Sequence, residues 1–204
     1  MTCLFDTDIT LKLSACDLLQ PALAVLGANK NEVYVLREEA YRVYSCNQDL
    51  KAAYPASALK NALKFINQAH RIEDEPDPDE QYYMSLVDNI DSGEQILFGA
   101  TRNFPDFRLL TADRKALLAI SNAFGCEGIR ARLKGRVVCL EQILLRLIPV
   151  LGYDVLRAQV APFSTRDTAF KVPFQGAEQE AVSELNRLIL KLRNDTGDLL
   201  IPDL

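Results

Sequence analysis

Short apolar runs alternate along this chain with longer segments whose apolar residues recur at helical spacing. The runs are residues 2–5, 33–36, 109–110 and 135–140. Runs of this length and composition are typical of buried strands, and the segments between them are long enough for helices. Strands separated by helices indicate a mostly parallel sheet with helices on both faces. We therefore predict an α/β fold with a sheet of four to five strands.

The pattern changes in the last quarter of the chain. The 204 residues are enough for one well-buried core and an extension. We predict an α/β domain over residues 1–152 and a helical C-terminal extension over 153–204, which packs as an appendage or forms an interface. An amphipathic helix is expected at about 177–193. The acidic run 73–80 is expected to be a solvated loop, because its prolines oppose a helix.

Charge and cysteine usage exclude several classes of protein. The formal net charge of −5 argues against a protein that coats nucleic acid through bulk charge. The five cysteines form no C-x-x-C pair, which favours buried free thiols in a reducing cytosol. His70 is the only histidine, so a zinc site and a Ser-His-Asp triad are both disfavoured. The most apolar stretch, 140–151, is too short to span a bilayer. We expect a cytoplasmic protein with no membrane contact.

Carboxylates follow the predicted strands or begin the helices that come next. Because ligands of α/β sheets bind outside the carboxyl ends of the strands, these side chains are expected to meet at one edge. Several carboxylates in one place stay ionised only with a cation between them, and hard oxygen ligands suit Mg²⁺ or Mn²⁺. The candidates are Asp6, Glu38 or Glu39, Asp91 or Glu94, and Asp113. The sequence therefore predicts a divalent metal site with no need for a nucleophilic side chain.

The order of three motifs resembles the PIN-domain nucleases. Leu4-Phe5-Asp6-Thr7-Asp8 looks like the opening strand and Asp-Thr-Asn turn of that family. Asp91-Ser92-Gly93-Glu94 is similar to the Asp-x-Gly-Glu variant of its later motif, and Leu109-Leu110-Thr111-Ala112-Asp113 looks like its Thr-x-Asp strand end. The strand and glutamate between them match loosely. The resemblance covers residues 1–148.

This resemblance implies a three-layer PIN-like domain that cleaves RNA with Mg²⁺ or Mn²⁺. Asp6 and Asp113 would hold the metal, Asp91 or Glu94 would complete the site, and Glu39 would ligate the metal or orient water. RNA is then the expected partner. Two further expectations are a protein partner or inhibitor and the formation of a homodimer. The acidic run 73–80 departs from the family, since carboxylates beside the groove would repel RNA.

Two other functions compete with the nuclease. One is a catalytically silent PIN-like module that binds RNA or a protein without cleavage. The other is a phosphatase, because Asp6-Thr7-Asp8-Ile9-Thr10 also looks like the Asp-x-Asp-x-Thr opening of haloacid dehalogenase-like enzymes. There Asp6 would be the nucleophile and Asp8 the general acid.

Basic residues near these motifs are candidates for contacts with nucleic acid. Arg114 and Lys115 directly follow Asp113. Arg130 and Arg132 belong to a run of alternating basic residues, which would project on one side of an extended loop and meet phosphates. A solvated loop explains that alternation equally well.

Overall fold

The structure is a computed structural model that describes residues 1–38, 43, 48–73, 76–164, 168–202 and 204. Its strands are β1 (Thr2–Phe5), β2 (Val33–Leu36), β3 (His70–Ile72), β4 (Phe107–Thr111) and β5 (Val137–Cys139). Within the described residues they form one all-parallel sheet in the order β3-β2-β1-β4-β5. The predicted α/β class, with helices around a parallel sheet, is confirmed.

Helices occupy most of the connections between these strands. The N-terminal half of the described chain contains α1 (Thr7–Ala15), α2 (Leu19–Leu26), α3 (Gln48–Ala53), α4 (Ala56–Gln68), α5 (Pro78–Ser85) and α6 (Ser92–Ala100). The C-terminal half contains α7 (Arg114–Asn122), α8 (Glu127–Leu133), α9 (Leu140–Leu151), α10 (Tyr153–Val160), α11 (Thr168–Lys171) and α12 (Glu178–Thr196). Short 3-10 turns lie at Lys30–Glu32, Thr101–Asn103 and Ala161–Phe163.

The central strand β1 packs on both faces because its side chains alternate. Cys3 and Phe5 belong to an apolar cluster that includes residues of α1, α2, α4 and α9. Leu4 points to the other face and joins a cluster with residues of α6, α7 and α8. All three side chains are fully buried, as expected for a strand covered on both faces. The sheet is thus the middle of three layers.

The C-terminal segment shares this core. Helix α12 packs against α9 and α7, with Leu185 in the first cluster and Ile189 in the second. Leu200 then forms a parallel bridge with Val137, which covers the outer edge of β5. Residues on both sides of the predicted boundary at 152 therefore contribute to one core. The predicted amphipathic helix is confirmed as α12.

The helical region after β1 is divided just before Leu19, where Asp17 adopts a positive φ of 56°. Pro21 sits in the first turn of α2, where its missing N–H costs no helical hydrogen bond.

The prediction of a loop over the acidic run 73–80 is wrong in part, because α5 begins at Pro78. Asp77 caps it by accepting hydrogen bonds from the following backbone, and Asp74 and Glu75 lie outside the described residues.

Within the described ranges, no single helix is both long enough and apolar enough to cross a bilayer. Helices α1 and α2 reach that length and apolarity only when taken together, and they are bent by 116° at the break between them.

Candidate active site

The candidate site lies where the chain reverses direction across the sheet. From β1 the chain adds β2 and β3 on one side, and then returns to place β4 on the other side of β1. The carboxyl ends of β1 and β4 therefore flank a topological switch point, where open α/β sheets bind ligands. Asp6 follows β1, and Asp113 follows β4 by two residues.

Asp6 is held by a neighbouring strand and not by its own helix. It occupies the N-cap position of α1, but its side chain makes no capping hydrogen bond. Instead, Thr111 Oγ1 donates a hydrogen bond to Asp6 Oδ2 at 2.9 Å. Burial raises the pKa of Asp6 to about 6, the Thr111 hydrogen bond lowers it, and the negative charges of Asp8 and Asp113 raise it further. Asp6 is therefore a buried carboxylate beside other carboxylates.

Thr111 also fixes the turn that carries Asp113. Its Oγ1 accepts a hydrogen bond from the Asp113 backbone N–H at 3.0 Å. Asp113 Oδ1 then accepts hydrogen bonds from the backbone N–H groups of Lys115 at 2.7 Å and Ala116 at 2.9 Å. This caps α7. One oxygen of Asp113 is thus committed to the helix, which fixes the orientation of the carboxylate.

Asp91 and Glu94 form a reciprocal capping box at the start of α6. The Glu94 N–H donates to Asp91 Oδ1 at 2.9 Å, and the Asp91 N–H donates to Glu94 Oε2 at 2.6 Å. Burial raises the pKa of Glu94 to about 7, with further contributions from the charges of Asp91, Asp113 and Asp6. Both members of the box line the same pocket as Asp6, so the choice between them stays open.

These side chains share one pocket with a volume of about 380 Å³. Among the described residues, its polar lining contains five carboxylates and no basic side chain. The carboxylates are Asp6, Asp8, Asp91, Glu94 and Asp113. The rest of the lining consists of Thr7 and Gly93 and of an apolar wall, which we define as Leu11, Leu36, Leu50 and Tyr54.

The pocket offers oxygen donors to the Mg²⁺ or Mn²⁺ that the resemblance implies. Asp6, Glu94 and Asp113 supply hard oxygens at a partly buried place, and Thr7 Oγ1 is buried there without a hydrogen-bond partner in the described structure. This chemistry fits a hard divalent cation. The side chains are not, however, gathered into a coordination shell: in the described ranges, no group of three or more Asp, Glu, His or Cys residues is placed to hold a metal ion.

The glutamate predicted after β2 is not settled. Glu38 is exposed and is not part of the pocket lining. Glu39 lies outside the described residues, so its role as a ligand or water-orienting group stays a prediction. Asp8, the general acid of the phosphatase alternative, forms an ion pair with Lys12 at 2.8 Å.

Arg114 and Lys115 lie at the carboxyl edge of the sheet, where Arg114 pairs with a carboxylate. Arg114 forms an ion pair with Glu141, the second residue after β5, whose side chain is 3 % exposed. The Arg114 side chain itself remains 41 % exposed. Lys115 is exposed.

Arg130 and Arg132 are placed differently from the prediction. They belong to α8, so the extended loop expected there is wrong. Arg130 donates hydrogen bonds to the carbonyl oxygens of Ile120 and Ala123. Arg132 forms a bidentate pair with Glu80 at 2.7 and 2.9 Å. Both guanidinium groups thus support the protein's own packing, and their contact with nucleic acid stays a prediction.

Sequence reasoning missed the residues that hold and shape the site. Thr111 belongs to the motif Leu109-Leu110-Thr111-Ala112-Asp113, and its hydroxyl, which bonds to Asp6 and to the Asp113 backbone, explains why threonine is suited to that position. Leu36 ends β2 next to Val35, the register partner of Phe5, so its position follows from the sheet once the register is known. Tyr54 lies between α3 and α4, and nothing in its local sequence pointed to the pocket.

Comparisons of this chain with protein-family models, with curated proteins and with solved structures found no match. The resemblance to PIN-domain nucleases therefore depends on the sequence motifs. An α/β sheet with a pocket at its switch point hosts many chemistries, so the function has to be argued from the side chains.

Proposed function

We propose that this chain is a Mg²⁺- or Mn²⁺-dependent ribonuclease that hydrolyses RNA phosphodiesters. The observation that carries the proposal is one pocket with Asp6, Glu94 and Asp113 in its lining and no basic side chain among the described lining residues. Ionised carboxylates that share a partly buried pocket repel each other, and a divalent cation relieves this repulsion. Phosphodiester hydrolysis is a reaction that such a cation supports.

The residues divide the work as follows. Asp6 and Asp113 would hold the metal, Asp91 or Glu94 would complete the site, and Glu39 would ligate or orient water. Thr111 keeps Asp6 and the Asp113 backbone in a fixed relation through its two hydrogen bonds. When bound, the ion would stabilise charge on the phosphoryl oxygens and lower the pKa of a bound water.

RNA would approach along the carboxyl edge of the sheet. Arg114 and Lys115 are the proposed contacts to the RNA backbone there, because they begin the helix that follows Asp113 and cations at that place attract phosphates.

The proposed compartment is the cytoplasm. Cys3, Cys126 and Cys139 are free and buried, which suits a reducing environment.

The test compares cleavage by three purified proteins with Mn²⁺ and a single-stranded RNA. They are the wild type, the double variant Asp6→Asn with Asp113→Asn, and the control Asp154→Asn, which removes an exposed carboxylate outside the pocket lining. We expect cleavage by the wild type and the control and at least a ~100-fold loss in the double variant. Equal cleavage by all three, or none by the wild type, would reject the nuclease.

A silent PIN-like module is the second candidate. It is favoured by one observation, namely that the carboxylates of the described chain are not placed as a group of three around a metal position. The melting temperature with Mn²⁺ separates the two, because a ligand that binds only the folded state raises it. A rise that is lost in the double variant supports the nuclease. No rise at about 1 mM Mn²⁺ favours a module that binds RNA or a protein without cleavage.

A further inference from the structure

We propose that an exposed aromatic patch on α5, α7 and the turn after α7 binds a basic, apolar segment of another protein. The aromatic patch is defined as Tyr82, Tyr83, Leu86, Leu118 and Phe124. None of these residues lines the candidate pocket, so the proposal goes beyond the nuclease and does not depend on it. Contiguous exposed apolar patches on soluble proteins mark interaction sites.

The aromatic patch leaves large apolar side chains in solvent. Phe124 is 84 % exposed, and Tyr82, Leu86 and Leu118 are exposed as well. These four are half of the eight large apolar side chains that lie exposed in the described ranges. Burial of one side chain such as phenylalanine contributes about 1.5–3 kcal/mol. A partner that covers the aromatic patch therefore gains free energy that the isolated chain does not.

Ring contacts make the aromatic patch continuous. The ring centroids of Tyr82 and Tyr83 are 5.5 Å apart, and those of Tyr83 and Phe124 are 6.2 Å apart. Both pairs meet edge to face, with angles of 71° and 77° between the ring planes. Leu86 lies four residues after Tyr82 at the end of α5, and residues four apart share one face of a helix. Side chains from α5 and from the turn after α7 thus form one surface.

A groove continues this surface between α5 and α7. Its volume is about 350 Å³, and Leu118 lines it together with Val87, Ala119 and Ala123. Val87 follows the end of α5, and Ala123 directly precedes Phe124, so the groove adjoins the rings. A partner therefore meets exposed rings and, beside them, a recess for an apolar side chain.

The backbone holds the rings in place. Gly125 has a positive φ of 76°, and a Cβ atom at this position would overlap the Tyr83 ring. The turn therefore runs directly against that ring, and only glycine leaves room for it. Ala123 and Cys126 are buried, so Phe124 projects from a turn that is anchored on both sides. A surface that is already ordered loses little conformational entropy on binding.

The charges around the aromatic patch favour a basic partner. Asp79 in the first turn of α5 and Asp88 in the lining of the groove are exposed, and neither forms an ion pair with a residue that the structure describes. Lys115, which also lines the groove, offsets one of these two charges. Three further carboxylates, at the start of α5 and of α8, are already paired with arginines: Asp77, Glu80 and Glu127.

The rings and the carboxylates select the same chemistry. The faces of aromatic rings attract a lysine or arginine side chain, and the free carboxylates attract it as well. The apolar side chains and the groove require leucine-like or aromatic residues beside it. The partner is therefore a protein segment in which arginine or lysine stands next to large apolar residues.

The same charges disfavour other occupants. Two copies that met through the aromatic patch would bring together four of these free carboxylates and two lysines, since each copy supplies two carboxylates and one lysine. RNA and anionic membrane surfaces are negatively charged and would meet Asp79 and Asp88. These occupants are separate outcomes of the experiment.

The experiment selects binders of the full chain from a library of short random peptides displayed on phage. We expect the enriched peptides to combine arginine or lysine with leucine or aromatic residues. A synthetic, fluorescently labelled copy of an enriched peptide then gives Kd by fluorescence anisotropy. Enrichment of acidic or uncharged peptides, or no enrichment at all, would overturn the proposal.

Variants assign the binding to the aromatic patch. Phe124→Ala should raise Kd at least about tenfold, as expected for an aromatic residue in an interface. Because Phe124 is exposed, its loss should leave the melting temperature close to that of the wild type. Tyr82→Ala should raise Kd as well, and this variant leaves the turn after α7 untouched. The matched control is Leu190→Ala, which removes an exposed side chain of α12 and should bind like the wild type.

The contribution of charge is measured separately. Asp79→Asn with Asp88→Asn should raise Kd about threefold or more, and the control Asp154→Asn should leave it unchanged. If the peptide binds the variants of Phe124 and Tyr82 as tightly as the wild type, it binds elsewhere and the proposal is wrong. The same holds if the peptide is displaced by single-stranded RNA or by vesicles with anionic lipid.

The second copy and the nuclease are tested in the same samples. Sedimentation of the wild type at about 0.1 mM should show a monomer. A dimer that Phe124→Ala dissociates would assign the aromatic patch to a second copy and overturn the proposal. Asp6→Asn with Asp113→Asn should bind the peptide like the wild type, so failure of the nuclease leaves this result unchanged.

Discussion

Thr111 donates a hydrogen bond from Oγ1 to Asp6 Oδ2 at 2.9 Å, and so joins the ends of two neighbouring strands, β1 and β4. The two residues are 105 positions apart in the chain. The same oxygen accepts the backbone N–H of Asp113. One hydroxyl thus sets the relation between two of the carboxylates in the candidate site. A change at Thr111 is therefore expected to act on both.

Replacing Thr111 with valine should weaken both the fold and metal binding. Valine has nearly the shape of threonine but leaves Asp6 Oδ2 without this donor and the Asp113 N–H without this acceptor. An unmade buried hydrogen bond costs about 1–3 kcal/mol. Denaturant unfolding should show this loss, and the Mn²⁺-induced rise in melting temperature should shrink. Thr111→Ser keeps the hydroxyl and is the control, so an equal loss in the serine variant would show that the hydroxyl is not the cause.

Because Asp6 is buried, its contribution to the free energy of unfolding depends on pH. The pKa of Asp6 is raised from 3.8 to about 6 in the folded protein. The folded state therefore holds the proton more tightly than the unfolded state, so the free energy of unfolding falls as pH rises from about 3.8 to about 6 and stays lower above that. The ionised carboxylate destabilises the fold by at most about 3 kcal/mol.

Replacing Asp6 with asparagine should stabilise the protein at about pH 8 and change little near pH 3. Asparagine cannot ionise, but its side-chain oxygen can still accept the hydrogen bond of Thr111. Denaturant unfolding of the wild type and Asp6→Asn at the two pH values measures the difference. Asp8→Asn is the control, since Asp8 is a more exposed member of an ion pair with Lys12, for which a change within about 1 kcal/mol is expected. A loss of stability in Asp6→Asn at both pH values would contradict the prediction.

The sequence predicted the sheet because its strands carry a strong apolar signal. Strand β3 was not predicted, because His70-Arg71-Ile72 contains a single buried apolar residue, Ile72. A strand at the edge of a sheet can be held with so few buried side chains. Helix α8 was mistaken for a loop because its alternating basic residues hid the apolar pair Ile129 and Leu133. Local patterns report burial, and these two elements bury little.

The candidate site also contains residues that could be predicted from the sequence and residues that could not. Asp6 and Asp113 could be predicted because strand ends meet at one edge of a parallel sheet, whatever the details of packing. The position of Tyr54 in the pocket could not be predicted, because Tyr54 precedes α4 and the packing of α4 against α1 is not visible in the local sequence. The partners of Arg130 and Arg132 could not be predicted either. Successive residues of a helix are rotated by about 100°, so residues two apart in the sequence lie on different faces.

The Arg114–Glu141 pair should behave as a partly buried ion pair. Arg114→Met leaves the buried Glu141 carboxylate without this partner, and a buried carboxylate without its cation costs about 1–3 kcal/mol when the partner is itself half exposed. Glu141→Gln in the same chain removes the charge and should recover most of the loss. Denaturant unfolding of the two single variants and the double variant gives the coupling. Additive effects would show that the two side chains do not interact in solution.

Helix α12 should contribute to the stability of the sheet domain. Leu185 is fully buried in the cluster on one face of the sheet, and Leu→Ala at such positions costs about 2–5 kcal/mol. Leu190 on the same helix is 58 % exposed, so Leu190→Ala should change stability by less than about 0.5 kcal/mol. Thermal or denaturant unfolding should remain a single transition in both variants. A separate early transition in Leu185→Ala would show that α12 unfolds independently of the sheet.

The protection given by Mn²⁺ should disappear as the pH falls. Carboxylate ligands bind a metal when deprotonated, and the pKa values of Asp6 and Glu94 are raised to about 6 and about 7. Protons therefore compete with the metal across this range, and the rise in melting temperature with Mn²⁺ should be large at about pH 8 and nearly absent at about pH 5. Each comparison is made at one pH with and without Mn²⁺, which removes the pH dependence of the fold itself. The double variant Asp6→Asn with Asp113→Asn should show little rise at either pH. The same rise at both pH values in the wild type would mean that the cation binds at a place other than these carboxylates.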